Sequence, residues 1–328
     1  MAILIYPPTI DWTWMKQRPQ QILSQFAADG HTVYYANRTQ TTEPLTEVRP
    51  RLYVVSNWDV WVNEELPIIQ KASQEPIGIW CSNPLLAKDL PDHLVDWVVY
   101  DCLDDFAQWH PYEPEMLQKA DVIFCTSERI YKRFKRISDL PIYLVRNGYD
   151  PSMELHLLPA TAPSSKPILG YMGAWAPWVH LSILQRCAQL PNATVQVIGP
   201  EFGSKFVSHP TIQFLDNIPH HQLNQHIQHF SVCLIPFRIN AITLATNPIK
   251  AYEYLASGKP VISTALPECR GMSPYIDIAE NMRNFVELVE WRLKEPGDAE
   301  SRIQYALSNT WEHRYFEIKQ HLPNHFLS

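Results

Sequence analysis

The chain alternates short apolar runs with segments of helical period, and it does so twice. Before residue 154 the apolar runs are AILIYPP, TVYYANR, RLYVVSN, IGIWCSN, WVVYDCL, VIFCTSE and IYLVRNG. Between several of them lie helical patterns. PQQILSQFAADG has Pro in its first turn and ends at Gly30, and SERIYKRFKRI starts at a Ser cap. Alternating strand and helix signals imply a parallel sheet covered on both faces. Residues 154–167, rich in Pro, Ser and Thr, interrupt the pattern and predict a linker. The alternation then restarts with ILGYMGAW, HLSILQRCAQL, ATVQVIGP, TIQFLDN, HHQLNQHIQHF, SVCLIPF, PVISTAL and YIDIAE, and from Asn281 onward the chain is helical. The expectation is an α/β chain of two Rossmann-like, doubly wound domains, 1–160 and 161–310. Open parallel sheets bind ligands at the carboxyl ends of their strands, so two such domains would place chemistry in a cleft between them.

Composition narrows the partners. Of 328 residues 46% are hydrophobic and 19% charged, enough apolar surface to offset chain entropy. The net charge is −7 with no basic block, so no nucleic-acid footprint is present. Six cysteines lie far apart, several inside apolar runs, and read as reduced core thiols. MAILIYPP is too short for a signal peptide, and no run has the length of a membrane span. These features predict a cytoplasmic protein whose partners are small molecules.

One stretch combines capping signals with charge: ATNPIKAYEYLASGKPVIST, residues 245–264. Asn247 is a favoured N-cap, Pro248 suits the first helical position, and Gly258 with Pro260 stops the helix before a new strand. A helix of about ten residues is predicted. Lys250 and Glu253 sit one turn apart, and alone they would read as a solvated salt bridge worth about 0.2–0.5 kcal/mol. Position argues otherwise. A helix N-terminus after a strand is an anion site, which a Lys in the first turn strengthens, and a carboxylate one turn deeper can accept ribose hydroxyls. Phosphate above and ribose below describes a nucleoside diphosphate.

The stretch resembles the donor-binding helix of retaining, family 4-like glycosyltransferases with the GT-B fold. Glu253 matches the second Glu of their Glu-(seven residues)-Glu motif, and YLASGKPVIST matches the Leu/Tyr-x-Ala-x-Gly-x-Pro-Val segment of that family. ADVIFCTSERIYKR, VRNGYD and ILGYMGAW carry the likeness further. It implies transfer of a sugar from a nucleotide-diphosphate donor such as UDP-sugar to a hydroxyl acceptor, with retention, in polysaccharide biosynthesis. It further implies that no cofactor or metal is required, and that a C-terminal helix, 311–328, crosses back to the N-terminal domain. Peripheral contact with a membrane is common among such enzymes, and the oligomeric state is not implied. Onto this chain the likeness places Gly173 and Ala174 beside the donor phosphates, Asn217 and Ile218 at the nucleobase, and Lys250, Arg238 and Asn247 at the diphosphate. Glu253 falls at the ribose. The family's first Glu falls on Ala245, so Asn240 and Thr243 stand in as contacts to the donor sugar.

On the first domain, Asp104 and Asp105 end the strand WVVYDCL and are candidate catalytic acids, with helix capping as the competing reading. The loop PPTIDWTWMKQRPQQ offers Asp11, Trp12, Trp14, Gln17 and Arg18 as an acceptor pocket, since rings stack on sugars and Arg grips anions. The competing reading makes Arg18 half of a structural ion pair. His226 and His229 share a helical face without a third ligand nearby, so no metal site is expected. Two other functions stay open at this point: a sugar-nucleotide epimerase of the same fold, and a non-catalytic nucleotide-sugar binder, for which Ala245 is the motive.

Overall fold

The structure is a computed structural model that describes residues 1–159, 165–207 and 209–327. Its backbone gathers into two compact units, Met1–Arg146 together with Trp311–Ser328, and Asn147–Thr310.

In the first unit the strands are β1 (Ile3–Tyr6), β2 (Thr32–Ala36), β3 (Thr46–Arg49), β4 (Leu52–Val55), β5 (Ile77–Cys81), β6 (Trp97–Cys102), β7 (Val122–Cys125) and β8 (Ile142–Leu144). They form one sheet in the order β3-β4-β2-β1-β5-β6-β7-β8. Every residue of β1, β5, β6 and β7 is buried, as expected for central parallel strands with both faces covered. The seven apolar runs all become strands. The eighth strand, β3, has the sequence TEVR, is wholly exposed, and pairs antiparallel to β4 at the sheet edge. It has no apolar pattern to betray it, and its charges suit an edge that must not recruit another chain.

The chain returns to this unit at its C-terminal end. The helical tail runs as Met282–Lys294, then Ala299–Leu307 and, past a break at 308–310, Trp311–His321. In the latter helix Tyr315 and Lys319 both donate to Asp29, at 2.5 Å each, and Tyr315 meets Phe26 edge-on. Phe326 stacks on Trp97, whose indole N–H donates to the Phe326 carbonyl at 3.1 Å.

The second unit carries β9 (Ile168–Met172), β10 (Thr194–Ile198), β11 (Ile212–Leu215), β12 (Phe230–Ile235), β13 (Val261–Thr264) and β14 (Asp277–Ala279). The order is β11-β10-β9-β12-β13-β14, and every pairing is parallel. Order reverses between β9 and β12, so the crevice that such sheets offer a ligand opens beyond the carboxyl ends of these two strands. Gly170 permits their close approach: a Cβ there would lie 2.1 Å from the Phe230 ring.

Where the sequence suggested a boundary at 160, the chain passes into the second unit at Asn147. The first part of the supposed linker is structured, with a short 3-10 turn at Leu155–Leu157 following another at Pro151–Met153. Leu155 is fully buried and its N–H donates to the Tyr149 hydroxyl at 2.9 Å. Composition alone misled here, because apolar Leu155 is an anchor rather than spacer. Residues 160–164 of that segment lie outside the described residues.

Gly170→Ala forces a methyl into the Phe230 ring. It is expected to lower the unfolding free energy by about 1–3 kcal/mol, as overpacked cores do, and a urea titration followed by fluorescence will read this.

Candidate functional site

The 249–256 helix of the second unit begins later than the sequence implied. It runs Ile249–Ala256, eight residues, with Pro248 in extended conformation at the N-cap and no side-chain cap. Asn247 does not cap it. Its amide is buried and held by tertiary partners instead: Oδ1 accepts from the Asn147 N–H at 2.9 Å and the Tyr252 hydroxyl at 3.3 Å, while Nδ2 donates to Glu268 at 3.2 Å. The Asn247 carbonyl accepts from Asn147 Nδ2 at 2.6 Å. A buried amide must satisfy its polar atoms, and here the neighbours outcompete the helix. The first turn of the helix therefore has no side-chain cap over its N–H groups. At the other end Gly258 has φ +69°, the left-handed stop the sequence called for.

Lys250 folds back over the end of β9. Its ammonium lies 4.7 Å from the ring centres of both Tyr171 and Phe237 and donates to the Tyr171 hydroxyl at 3.4 Å. That hydroxyl in turn donates to the Ala174 carbonyl at 2.8 Å. Beside it the backbone is bare of side chains. Gly173 has φ +128°, and a Cβ there would sit 2.6 Å from Lys250 Nζ. Gly199, just past β10 with φ +142°, would put its Cβ 2.4 Å from the Gly173 carbonyl. The positive φ favours glycine at both positions, and at Gly199 the Gly173 backbone leaves no space for a side chain either.

Among the described residues no ion pair joins Lys250 to Glu253. The Glu253 carboxylate, 5% exposed, meets His220 Nε2 at 3.2 Å. Burial pulls the Lys250 ammonium down to about 8, with the Glu253 charge only partly opposing it. The two rings offset some of that cost, and an anion at this spot would offset more.

The remaining donor candidates divide. Thr243, expected to reach the donor sugar, is 1% exposed and its hydroxyl donates to the Arg238 carbonyl at 2.6 Å. It also accepts from the Asn240 N–H at 3.0 Å, while Asn240 Oδ1 accepts from the Thr243 N–H at 3.0 Å. This closed box shapes the loop after β12 and leaves Thr243 nothing to offer a sugar. Arg238, Asn240 and Asn217 are exposed, and Ile218 packs against the core. Ala245 is fully buried. Gly199, Tyr171, Asn147 and His220 escaped the sequence reading. Gly199 was signalled by Gly-Pro at a strand end, whereas the others depend on partners distant in the chain. Among the described residues no three His, Cys, Asp or Glu gather as a metal cluster.

In the first unit, Arg18 is not an open acceptor contact. It is 1% exposed, its Nε donates to both oxygens of fully buried Asp101 at 3.0 and 2.9 Å, and its terminal nitrogen donates to the carbonyls of Val145 and Arg146. Trp80 donates to the same carboxylate at 3.1 Å. Asp11 is occupied by Thr39, accepting from its N–H and hydroxyl at 2.7 Å each. The Gln17 N–H donates to Gln20 at 3.0 Å, starting the Arg18–Ala28 helix. Trp12 packs edge-on to Tyr35, and Trp14 is 44% exposed.

The two aspartates separate. Asp105 is buried, bonded to His110 at 2.8 Å and ion-paired with Arg133 at 3.0 Å. Arg133 also holds Glu113, so Asp105 belongs to a structural network. Asp104, next to it, has no side-chain hydrogen bond among the described residues. Burial, with the Asp105 charge beside it, pushes its carboxyl up to about 6.

No family model matches the chain. Over 266 residues, 69% of this chain and 66% of the other, it is 24% identical to the Bacillus subtilis protein named "Putative teichuronic acid biosynthesis glycosyltransferase TuaH". The match thus spans just under two thirds of that relative's length. Solved structures match almost end to end. Sucrose-phosphate synthase from Thermosynechococcus elongatus superposes with a TM-score of 0.73 at 15% identity, over 97% of each chain. Trehalose 6-phosphate synthase from Burkholderia multivorans gives 0.68 at 11% identity, over 98% of this chain and 97% of that one. The lipopolysaccharide outer core galactosyltransferase WaaB in its apo form gives 0.66 at 13% identity, over 98% of this chain and 100% of that one.

The chain has the GT-B fold.

Within this GT-B chain two consequences can be measured. Arg18→Met leaves Asp101 buried without its cation and is expected to cost about 3–5 kcal/mol of stability in urea, the range for breaking a buried pair. Lys250 acts in the opposite sense. Its native value near 8 lies below the unfolded 10.5, so between these values the unfolded chain holds a proton that the native chain has released, and stability rises with pH. Below pH 8 the buried charge opposes folding. Lys250→Met should therefore melt no lower than the wild type at pH 7, and its advantage should shrink as pH rises from 8 to 10.5, as calorimetry will record.

Proposed function

We propose that the protein is a glycosyltransferase that moves a sugar from a nucleoside diphosphate bound by the second unit to a hydroxyl acceptor, with retention. One observation carries this reading. At the carboxyl end of β9, where the strand order of the sheet reverses, an ammonium disfavoured by its surroundings faces a turn stripped of side chains by Gly173 and Gly199. Such a place suits phosphate oxygens: backbone can approach closely, and Lys250 gains the counter-charge it lacks. The uncapped first turn of the 249–256 helix adds N–H groups and the positive end of its dipole. Exposed Arg238 supplies a second cation, and Glu253 accepts from the ribose.

In the reaction the acceptor oxygen bonds to the anomeric carbon as its bond to the diphosphate oxygen breaks. The departing phosphate takes the acceptor proton, and Lys250 with the helix amides stabilises the charge left on the diphosphate. The reading needs no metal, because these cations meet that charge. On the first unit, Asp104 is the carboxylate we assign to the acceptor hydroxyl, since Asp105 is held by His110 and Arg133. The Bacillus relative, named for teichuronic acid biosynthesis, favours polysaccharide biosynthesis as the setting, and we take the transferred sugar to be a hexose.

Two measurements test the proposal. A thermal-shift panel of UDP, GDP, ADP and their sugars should contain at least one nucleotide that raises the melting temperature, by mass action on the native state. With that donor and its acceptor, Lys250→Ala should lose about 10²–10³-fold in turnover, the cost of removing one donor to a transition-state oxyanion, without a lower melting temperature. Near-normal turnover in the variant, or no nucleotide that stabilises the wild type, refutes the assignment.

A further inference from the structure

We infer that His220 is a positioning residue for the donor, holding Glu253 so that its carboxylate reads a ribose diol. The inference rests on the glycosyltransferase reading and adds to it a residue that selects ribonucleotides over their deoxy forms.

Glu253 is 5% exposed, and the only side-chain hydrogen bond to its carboxylate among the described residues is that of His220, Nε2 to Oε1 at 3.2 Å. Oε2 has no hydrogen-bond partner among those residues. A glutamate carboxylate otherwise turns easily about its last torsion, which has broad wells. With the imidazole N–H donating to one oxygen, the plane is set and the second oxygen is left as an acceptor. A vicinal diol needs just such a fixed acceptor, because its two hydroxyls must be met at once.

The chain position of His220 supports the same role. It opens the 3-10 turn His220–Gln222 directly after Asn217, Ile218 and Pro219, the loop leaving β11, and its ring is largely buried at 19% exposed. It thereby ties that loop to the helix bearing Lys250 and Glu253. The imidazole needs only one N–H for this, so an amide of similar reach should substitute.

The test uses the full chain and calorimetric binding of UDP, GDP and their 2′-deoxy and 3′-deoxy counterparts. The wild type should bind its preferred ribonucleotide about tenfold or more tightly than either deoxy form. His220→Ala should weaken the ribonucleotide about tenfold and leave the deoxy forms within twofold, erasing the preference, whereas His220→Gln should keep most of it. Lys250→Met should weaken ribo and deoxy forms alike. Equal weakening of both sugars by His220→Ala, or an unchanged ratio, overturns this inference and leaves the glycosyltransferase reading standing. A wild type that binds none of the nucleotides sinks that reading and this inference with it.

Discussion

A lysine held where burial disfavours its charge organises everything around the site. Lys250 stays in place because Tyr171 and Phe237 present ring faces to it and because Gly173 leaves room. Neither ring compensates the ammonium as an anion would. The glycine turn, the uncapped helix start and the depressed basicity near 8 are three expressions of one arrangement, a site short of negative charge. Asn247 contributes by what it does not do. Tied to Asn147, Tyr252 and Glu268, it anchors the helix entry while leaving the first turn uncovered.

The first unit shows the opposite use of charge. Arg18 and Asp101 are both buried, and each is met by several partners, with Trp80 and the carbonyls of Val145 and Arg146 completing the set. Such a pair is expensive to break and contributes little that a well-packed apolar pair would not, so its value lies in fixing the β6 end against the Arg18–Ala28 helix. Asp105 is fixed in the same way by His110 and Arg133. That leaves Asp104, with no side-chain hydrogen bond among the described residues and raised to about 6, as the carboxylate in this pair with chemistry to spare. Adjacent residues of identical type thus receive different roles from their surroundings alone.

Much of the architecture was legible in the residue order. Thirteen of the strands arise from apolar-rich runs, and those at the centre of the first sheet, β1, β5, β6 and β7, are buried throughout because both of their faces are covered. The exposed TEVR strand was invisible for the converse reason: it packs on nothing. Helix position and a strand-end glycine singled out Lys250, Glu253 and Gly173; the structure brings Lys250 to Gly173 and turns Glu253 to His220. The error over Thr243 came from judging a hydroxyl by its chemistry without knowing that Arg238 and Asn240 close it off. Arg18 was misplaced likewise, since an arginine in an aromatic loop reads as exposed until Asp101, 83 residues away, is brought beneath it.

The amino-acid order determined the two doubly wound sheets, the helix stop at Gly258 and the strand-end glycines, because each stems from local periodicity or from a backbone conformation that only one residue type adopts easily. Tertiary structure alone decided which polar groups were left unmatched. Whether Asn247 caps a helix, whether Glu253 faces Lys250 or His220, and whether Asp104 or Asp105 keeps a free carboxylate are choices among partners distant in the chain. Those choices turn on the cost of burying an unpaired polar group, which no local stretch can reveal.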